Sequence, residues 1–472
     1  MKINIKQILN HADEAKIDHL DNLVIILPYR PNLAAWPVFP YANRLKTHIR
    51  RQDKKDCLTT QVLDLPNTSG TRTSFVAIKE DISAFELLTL ARKLVEPHLT
   101  ANTKQIGLCL PDLKPDLANK AAQALVAAAG AGSFAMPSLK SEPSPSNKLE
   151  KLIIFYPEQK FTFKRTLAEI DGNNLARYLT ALPPNELTPG KYRQRIEKLA
   201  HEQNWQMEFF DTKALRRKKA GAFLAVAQGS AEQDAGIVLL QYRPGKAHQN
   251  AFLSLVGKGI CFDTGGTNLK PARHMHGMHE DMQGSAVALG TFLTLSQLKV
   301  KFSMDCWLAL AQNHIGPNAY KQNDVVTASN GTTIEIVHTD AEGRMVLADT
   351  LAFASRKKPK LIIDYATLTG SCIDALGTVY SGALTNRMEW IADIISAGQD
   401  SGERVWPFPN DVDYDDELTS SVADIKQCTL GSEADHILAA RFLNRFISTN
   451  VPWIHIDLAA GNHKGGLAHI PT

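Results

Sequence analysis

Short apolar runs alternate with segments of helical spacing through the first third of the chain, and that alternation restricts the fold more than any other feature. Leu23–Leu27, Ser74–Ile78, Ile106–Leu110 and Leu152–Tyr156 read as strands, while Ala84–Val95 and Asn119–Ala129 carry apolar residues at the spacing of one helix face. Strand and helix in turn predict an α/β domain over residues 1–158, with the proline-rich stretch Pro137–Asn147 as a polar loop before its last strand. Leu167, Ile170, Leu175, Tyr178, Leu179 and Leu182 then keep helical register up to Pro183-Pro184, predicting a linking helix within 159–185. Thr188-Pro189 supplies a cap and a first-position proline for a new helix, and residues 186–472 form the second domain. The expected class is α/β: two α/β domains, each a mostly parallel or mixed sheet flanked by helices, joined by a long helix.

With 472 residues the chain is too long for one core of ordinary size. Its 52 basic against 49 acidic residues, a net +3, exclude a surface wholly committed to nucleic acid or anionic lipid. The N-terminus lacks the apolar core and small-residue cleavage site of a secretory signal, and no run approaches the ~20 apolar residues of a membrane span, so a cytoplasmic protein is expected. Six scattered cysteines form no CxxC pair and are expected to be buried free thiols. The alanine-rich segment Ala121–Ala131 reads as a close-packed helix.

Two stretches of the second domain bear chemistry. In the first, His338-Thr339-Asp340-Ala341-Glu342-Gly343-Arg344, an extended backbone would turn Asp340, Glu342 and Arg344 to one face. Carboxylates that close repel unless a cation lies between them, and their oxygens suit Mg²⁺, Mn²⁺ or Zn²⁺. The competing explanation is a capping turn, with Asp340 or Thr339 at the start of a helix from about Glu342 to Ser355. In the second stretch, an apolar strand Phe252–Val256 is expected to end in a glycine-rich loop bearing Lys258, Asp263 and Lys270, followed by Asp281 ahead of a helical run Gly284–Leu298. The order of a nucleotide-binding P-loop is absent there. Singly, Asp281 could be a helix-start charge and the lysines solvated surface groups. Together, four acids and three bases beside glycine-rich turns need a common reason.

Both stretches resemble signatures of the leucyl aminopeptidase family, the dinuclear-metal cytosol aminopeptidases. The family octapeptide Asn-Thr-Asp-Ala-Glu-Gly-Arg-Leu stands here as His338 to Met345, changed only at its ends. Similarity extends from about Asn173 to the C-terminus through Asn174–Arg177, Pro183–Asn185, Ala225–Gly229 and Ala366–Gly370, and the spacing of Lys258, Asp263, Lys270 and Asp281 fits.

The resemblance implies an aminopeptidase acting on peptides with a free N-terminus through a water shared by two divalent ions, Zn²⁺ or Mn²⁺, with Mg²⁺ conceivable at one site. It implies that Lys258, Asp263, Asp281 and Glu342 hold one ion and Asp263, Asp340 and Glu342 the other, and Lys258 would bind as the neutral amine. Lys270 would stabilise the developing oxyanion, and Arg344 would hold a bicarbonate that shuttles the proton to the leaving amine. Thr367, Leu368 and Gly370, following the expected strand Leu361–Ala366, match the substrate groove, and Met278 matches the side-chain pocket. A homohexamer is implied as well.

Several positions depart from the family. His338 replaces asparagine beside Asp340, Met345 replaces leucine, and Glu280 and Gln283 flank Asp281. After the expected strand from Trp453, Asn462 and His463 stand where apolar groups are usual, which predicts broad or shifted selectivity for the first residue of the substrate. The reading from a different class is a non-catalytic peptide- or DNA-binding protein on the same fold. It would need a basic stripe from Arg44, Lys46, Arg50, Arg51, Lys54 and Lys55, residues that otherwise make a solvated face.

Overall fold

The computed structural model describes residues 3–51, 57–142, 149–245, 250–431, 433–458 and 463–471. The chain divides into two compact units, Met1–Ile170 with Gly398–Glu403 and Lys464–Thr472, and Asp171–Ala397 with Arg404–His463. The helix Lys164–Thr180 runs from the first into the second and stops short of Pro183.

The first unit is built on six strands: β1 Asn4–Ile8, β2 Asn22–Pro28, β3 Gln61–Asp64, β4 Arg72–Ile78, β5 Gln105–Cys109 and β6 Lys151–Phe155. Their order is β1-β6-β5-β2-β4-β3, parallel throughout except for β3 against β4. The four expected strands are present within a residue or two. The unexpected pair, β1 and β3, are edge strands whose alternating polar residues leave only a weak apolar signal. Helices Ala84–Val95, closed by a Ser83–Glu86 capping box, and Pro115–Gly132 cover one face of the sheet. Leu45 and Ile49 of the helix Ala42–Arg51 join Leu23, Ile25 and Leu27 on the other. That helix turns Arg44, Arg50 and Arg51 to solvent, while Lys54 and Lys55 lie outside the described residues.

The second unit has β7 Gln206–Asp211, β8 Gly236–Tyr242, β9 Leu253–Asp263, β10 Met304–Asn313, β11 Val325–Thr327, β12 Thr333–Glu335, β13 Leu361–Ala366, β14 Ser381–Thr385, β15 Val405–Pro407, β16 Ile425–Lys426 and β17 Trp453–Asp457. Eight of them form a mixed sheet in the order β15-β14-β17-β13-β9-β10-β8-β7, and β11-β12-β16 form a small separate one. β9 is parallel to both β10 and β13. Buried on both faces, these central strands are apolar almost without interruption. Val256 and Ile260 pack with the helix Glu342–Arg356, and Leu255 and Cys261 with the helix Gln283–Gln297 on the opposite side. All six cysteines are buried free thiols.

One expectation is overturned here. β9 does not end at Val256 in a loop but runs on to Asp263, so Lys258 and Asp263 are strand residues. Gly257 is there for packing: a Cβ on it would lie 2.4 Å from Ser285 Cα, where the helix Gln283–Gln297 presses on the strand.

Candidate metal centre

At the far end of β9 the sheet delivers charge into its own interior. Lys258 and Asp263 project from the strand, and the following turn, Thr264–Lys270, carries Lys270. Gly265 and Gly266 of that turn have φ of +86° and +67°, a region costly for side-chain-bearing residues. The turn is tied to the segment after β12: Thr339 Oγ1 donates to the Gly265 carbonyl (2.6 Å), Thr339 N donates to Asn268 Oδ1 (2.9 Å), and Asn268 N donates to Thr339 Oγ1 (2.8 Å). Asn313, facing Asp263 beside the register break of β10, donates to Asp263 Oδ1 (2.8 Å) and to the Thr339 carbonyl (3.0 Å). Tyr320 donates to the same carbonyl at 2.7 Å.

The segment His338–Arg344 is a turn entering a helix, not an extended strand. The helix Glu342–Arg356 begins at Glu342 with Ala341 as its N-cap, and neither Asp340 nor Thr339 caps it. Residues two apart on a helix differ by about 200° in direction, so Glu342 and Arg344 part company. Glu342 turns to the cluster with Asp340. Arg344 turns away, donating to both carboxylate oxygens of Asp435 (2.8 and 3.0 Å) and to the Gln427 carbonyl (3.1 Å). Gly343 lets the helix start pass over Lys258, for a Cβ there would lie 2.6 Å from Lys258 Cε.

Six of the seven singled-out charges thus meet. Lys258 Nζ lies 2.8 Å from Asp281 and 2.9 Å from Glu342, and donates to the Thr367 carbonyl at 2.9 Å. Lys270 Nζ lies 3.0 Å from Asp263 and 2.5 Å from Asp340. Oxygens of Asp263, Asp340 and Glu342 all lie within 4.8 Å of one another. Four carboxylates against two ammoniums leave the cluster two negative charges in excess. Burial first, and mutual repulsion after it, raise the carboxyl pKa of Asp263 and Asp281; Asp340 is raised by burial and by Asp263. For the lysines burial acts downward, but the carboxylates around them prevail and the net shift of both is upward.

The donor set suits divalent cations. Asp281 Oδ2 is buried with no hydrogen-bond partner among the described residues, and oxygen-rich sites with one nitrogen donor bind hard to borderline ions.

Of the expected groove residues, Thr367 is nearest the charge: its hydroxyl donates to Asp281 Oδ1 at 2.7 Å. Leu368 N donates to Asp457 (3.1 Å), as does the Thr369 hydroxyl (2.7 Å), so Asp457 at the end of β17 holds this segment in shape. Gly370 is exposed at the start of the helix Gly370–Leu376, and Met278 is half-buried in the short turn before Asp281. Among the described residues, Met278, Leu368 and Gly370 make no hydrogen bond to Asp263, Asp281, Asp340 or Glu342, and Leu368 reaches Asp457 instead. Asn462 lies outside the described residues, and His463 is half-buried. Asn313, Tyr320, Gln427, Asp435 and Asp457 went unnoticed in the sequence because each lies far along the chain from the residue it holds.

The model of the cytosol aminopeptidase family catalytic domain matches residues 174–469. A probable cytosol aminopeptidase of Azotobacter vinelandii is 40% identical over 344 residues, 70% of this chain and 68% of that protein. One of Albidiferax ferrireducens is 36% identical over 389 residues, 82% and 80% of the two chains. A tomato leucine aminopeptidase mutant superposes with TM-score 0.84 at 26% identity, covering 98% of this chain and 92% of its own. The bottromycin maturation enzyme BotP in complex with Mn gives 0.81 at 29% identity, covering 96% and 95%.

Proposed function

The chain belongs to the cytosol aminopeptidase family, and from that membership we propose that it is a metal-dependent aminopeptidase cleaving the N-terminal residue from peptides in the charged cluster at the end of β9. The observation that carries this is the meeting of Asp263, Asp340 and Glu342 within 4.8 Å, beside an Asp281 that shares Lys258 with Glu342. In this reading Lys258, Asp263, Asp281 and Glu342 hold one divalent ion, Zn²⁺ or Mn²⁺, and Asp263, Asp340 and Glu342 the other, which Mg²⁺ would also suit. When bound, the pair supplies a water-derived nucleophile at neutral pH, polarises the scissile carbonyl and anchors the free amine of the substrate.

The chain's own residues do the rest. Lys258 gives up its proton to become a ligand, since an ammonium has no lone pair. Lys270, whose ammonium is held charged by Asp263, Glu342 and Asp340 against the downward pull of burial, donates to the oxyanion that develops on the carbonyl. Asn313 and the Gly265 amide, both donating to Asp263 Oδ1 at 2.8 Å, fix which way that carboxylate faces. Thr367 does the same for Asp281, and the Thr367–Gly370 segment with Met278 lines the substrate's place. The name shared by its relatives supports a cytoplasmic location, and a homohexamer belongs to the same reading. Among the described residues no helix is long and apolar enough to cross a membrane.

The test is hydrolysis of Leu-anilide after chelation and add-back of Zn²⁺, Mn²⁺ or Mg²⁺. Activity should vanish on chelation and return with at least one ion. Hydrolysis that persists in chelator, or no hydrolysis with any ion, would sink the reading.

A further inference from the structure

We infer that Asp435 is the resident anion of Arg344, occupying the place on the guanidinium that a bicarbonate would take, so that this chain works without an added oxyanion. The inference rests on the aminopeptidase reading for its catalytic consequence, but not for its geometry.

Arg344 is a buried cation with its side chain 2% exposed, and both oxygens of Asp435 accept from its Nη2 while the Gln427 carbonyl accepts from Nη1. Its Nε is buried without a partner among the described residues. The guanidinium therefore has no further Nη2 edge to offer. A carboxylate and a bicarbonate present the same planar pair of oxygens, so the two compete for one position.

Asp435 also has its own reason to stay there as an anion. It is the first residue of the helix Asp435–Asn444, where unpaired backbone amides favour negative charge. The preceding Ala434 takes the left-handed conformation, φ 51°, a backbone that a residue with a Cβ adopts only when its surroundings demand it. Asp435 is the solvent-facing member of the pair, 24% exposed, and the neighbouring Ala434 lines a cavity of about 550 Å³ whose other lining residues include the acidic Asp413, Glu417 and Glu433. An anion arriving from solvent would meet Asp435 before Arg344. Gln427 ties the pair to the metal-bearing turn: its side chain accepts from Val337 N and His338 N (both 3.2 Å) and donates to the Ala341 carbonyl (2.9 Å). Asp435 is thus a positioning residue for Arg344 and, through Gln427, for the turn that carries Asp340 and Glu342.

The experiment uses the full chain, with and without metal. Metal-loaded wild type should hydrolyse Leu-anilide equally well in bicarbonate-free buffer and in bicarbonate. Asp435→Ala, which opens the position, should lose roughly 10- to 100-fold in bicarbonate-free buffer and regain most of it with bicarbonate, but not with chloride at the same ionic strength. Asp435→Asn, which fills the position without charge, should lose activity and regain none. In the metal-free protein, labelled bicarbonate followed by carbon-13 NMR should bind Asp435→Ala and not wild type, and should raise the melting temperature of that variant alone. This binding arm stands even if the chain hydrolyses nothing, a result that would end the peptidase reading only. Wild type that binds bicarbonate in an Arg344-dependent way would overturn the inference. So would an Asp435→Ala protein with wild-type turnover and no bicarbonate response, or, should that variant not fold, an Asp435→Asn protein with undiminished turnover.

Discussion

The two units solve the same packing problem with opposite electrostatics. Each lays buried, largely parallel strands between helices, yet the buried side chains of the first unit include no Asp, Glu, Lys or Arg among its described residues. The buried polar side chains of its interior are uncharged types or histidine, as where His98 bonds Asn22 at 3.0 Å and the Ser74 hydroxyl at 2.9 Å. The second unit buries Lys258, Asp263, Asp281 and Glu342 around one point in its sheet. Taking charges out of water costs several kcal/mol each, and an ion pair inside a protein is no better for stability than apolar packing. A fold that needs only a core resembles the first unit. The second buries other charges too, but Asp349, Asp364 and Arg441 each have partners of their own, so the excess of carboxylates around Lys258 and Lys270 is what locates the site.

The comparison is tested hardest by removing a cation from the charged interior. In the metal-free protein Lys258→Met strands Asp281 and Glu342 and should destabilise the second unit by about 3–5 kcal/mol, against about 1 kcal/mol for Ser74→Ala in the first. The sign with pH follows from the raised carboxyl pKa values of Asp263 and Asp281. Their contribution to stability is fully present below 3.8, the ordinary carboxyl value, and is lost as pH rises through the folded-state values. The metal-free unit should therefore weaken with rising pH and recover on adding Mn²⁺ or Zn²⁺, as read by denaturant melts at several pH values. A metal-free protein indifferent to Lys258→Met would mean that the cluster is not stressed.

Next in size is a change in rate rather than stability. Lys270→Ala should cut kcat/KM by roughly 10²- to 10³-fold with the fold intact by circular dichroism, the loss expected for one oxyanion donor. Arg50→Ala, on the exposed basic face of the first unit, should leave kcat/KM unchanged. A large loss from Arg50→Ala would move part of the function into the unit described above as a neutral core.

The first unit has its own pH signature, opposite in sign. Burial, with Arg72 adding to it, depresses the His98 imidazole to about 4 from 6.5, so its contribution to stability is complete above 6.5 and is lost as pH falls through 4. The span corresponds to about 3 kcal/mol. Amide protection in β4, taken relative to the intrinsic exchange rate at each pH, should fall on acidification from pH 6.5 to 4, and His98→Gln should flatten that slope. An unchanged slope in the variant would assign the acid sensitivity elsewhere.

Much of this was legible in the residues. Apolar runs predicted β2, β4, β5, β6 and β13, and the charged residues of two stretches predicted a cluster that the fold assembles. What stayed hidden has physical causes. Cys306–Ala311 is an unbroken apolar run, and periodicity alone does not separate a buried strand from a buried helix. Gly257 and Gly259 read as loop residues because their partners, Ser285 and the Ala309 backbone, come from distant segments that press on β9. The direction of Arg344 turned on a single boundary: begin the helix at Glu342 and the arginine swings away from the carboxylates. Its partner Asp435 lies 91 residues on, beyond the reach of any local pattern.

The smallest expected effect concerns His338, one of the two residues at which the stretch His338–Met345 departs from the octapeptide it resembles. His338 Nδ1 accepts the Asp340 backbone N–H at 3.3 Å, a local bond that shapes the turn just before Glu342. Asparagine carries its side-chain oxygen on the same atom as histidine carries Nδ1, and asparagine commonly accepts from the amide two residues on. His338→Asn should therefore keep the turn and hold kcat/KM within about 3-fold of wild type, less than 1 kcal/mol. His338→Phe, similar in size but without the acceptor, should lose more, because the freed amide lets Asp340 shift relative to Lys270. If instead both variants fall together, by an order of magnitude or more in kcat, the imidazole does something no amide can do, and the charged interior of the second unit has a seventh working member beside the six that meet around Lys258 and Lys270.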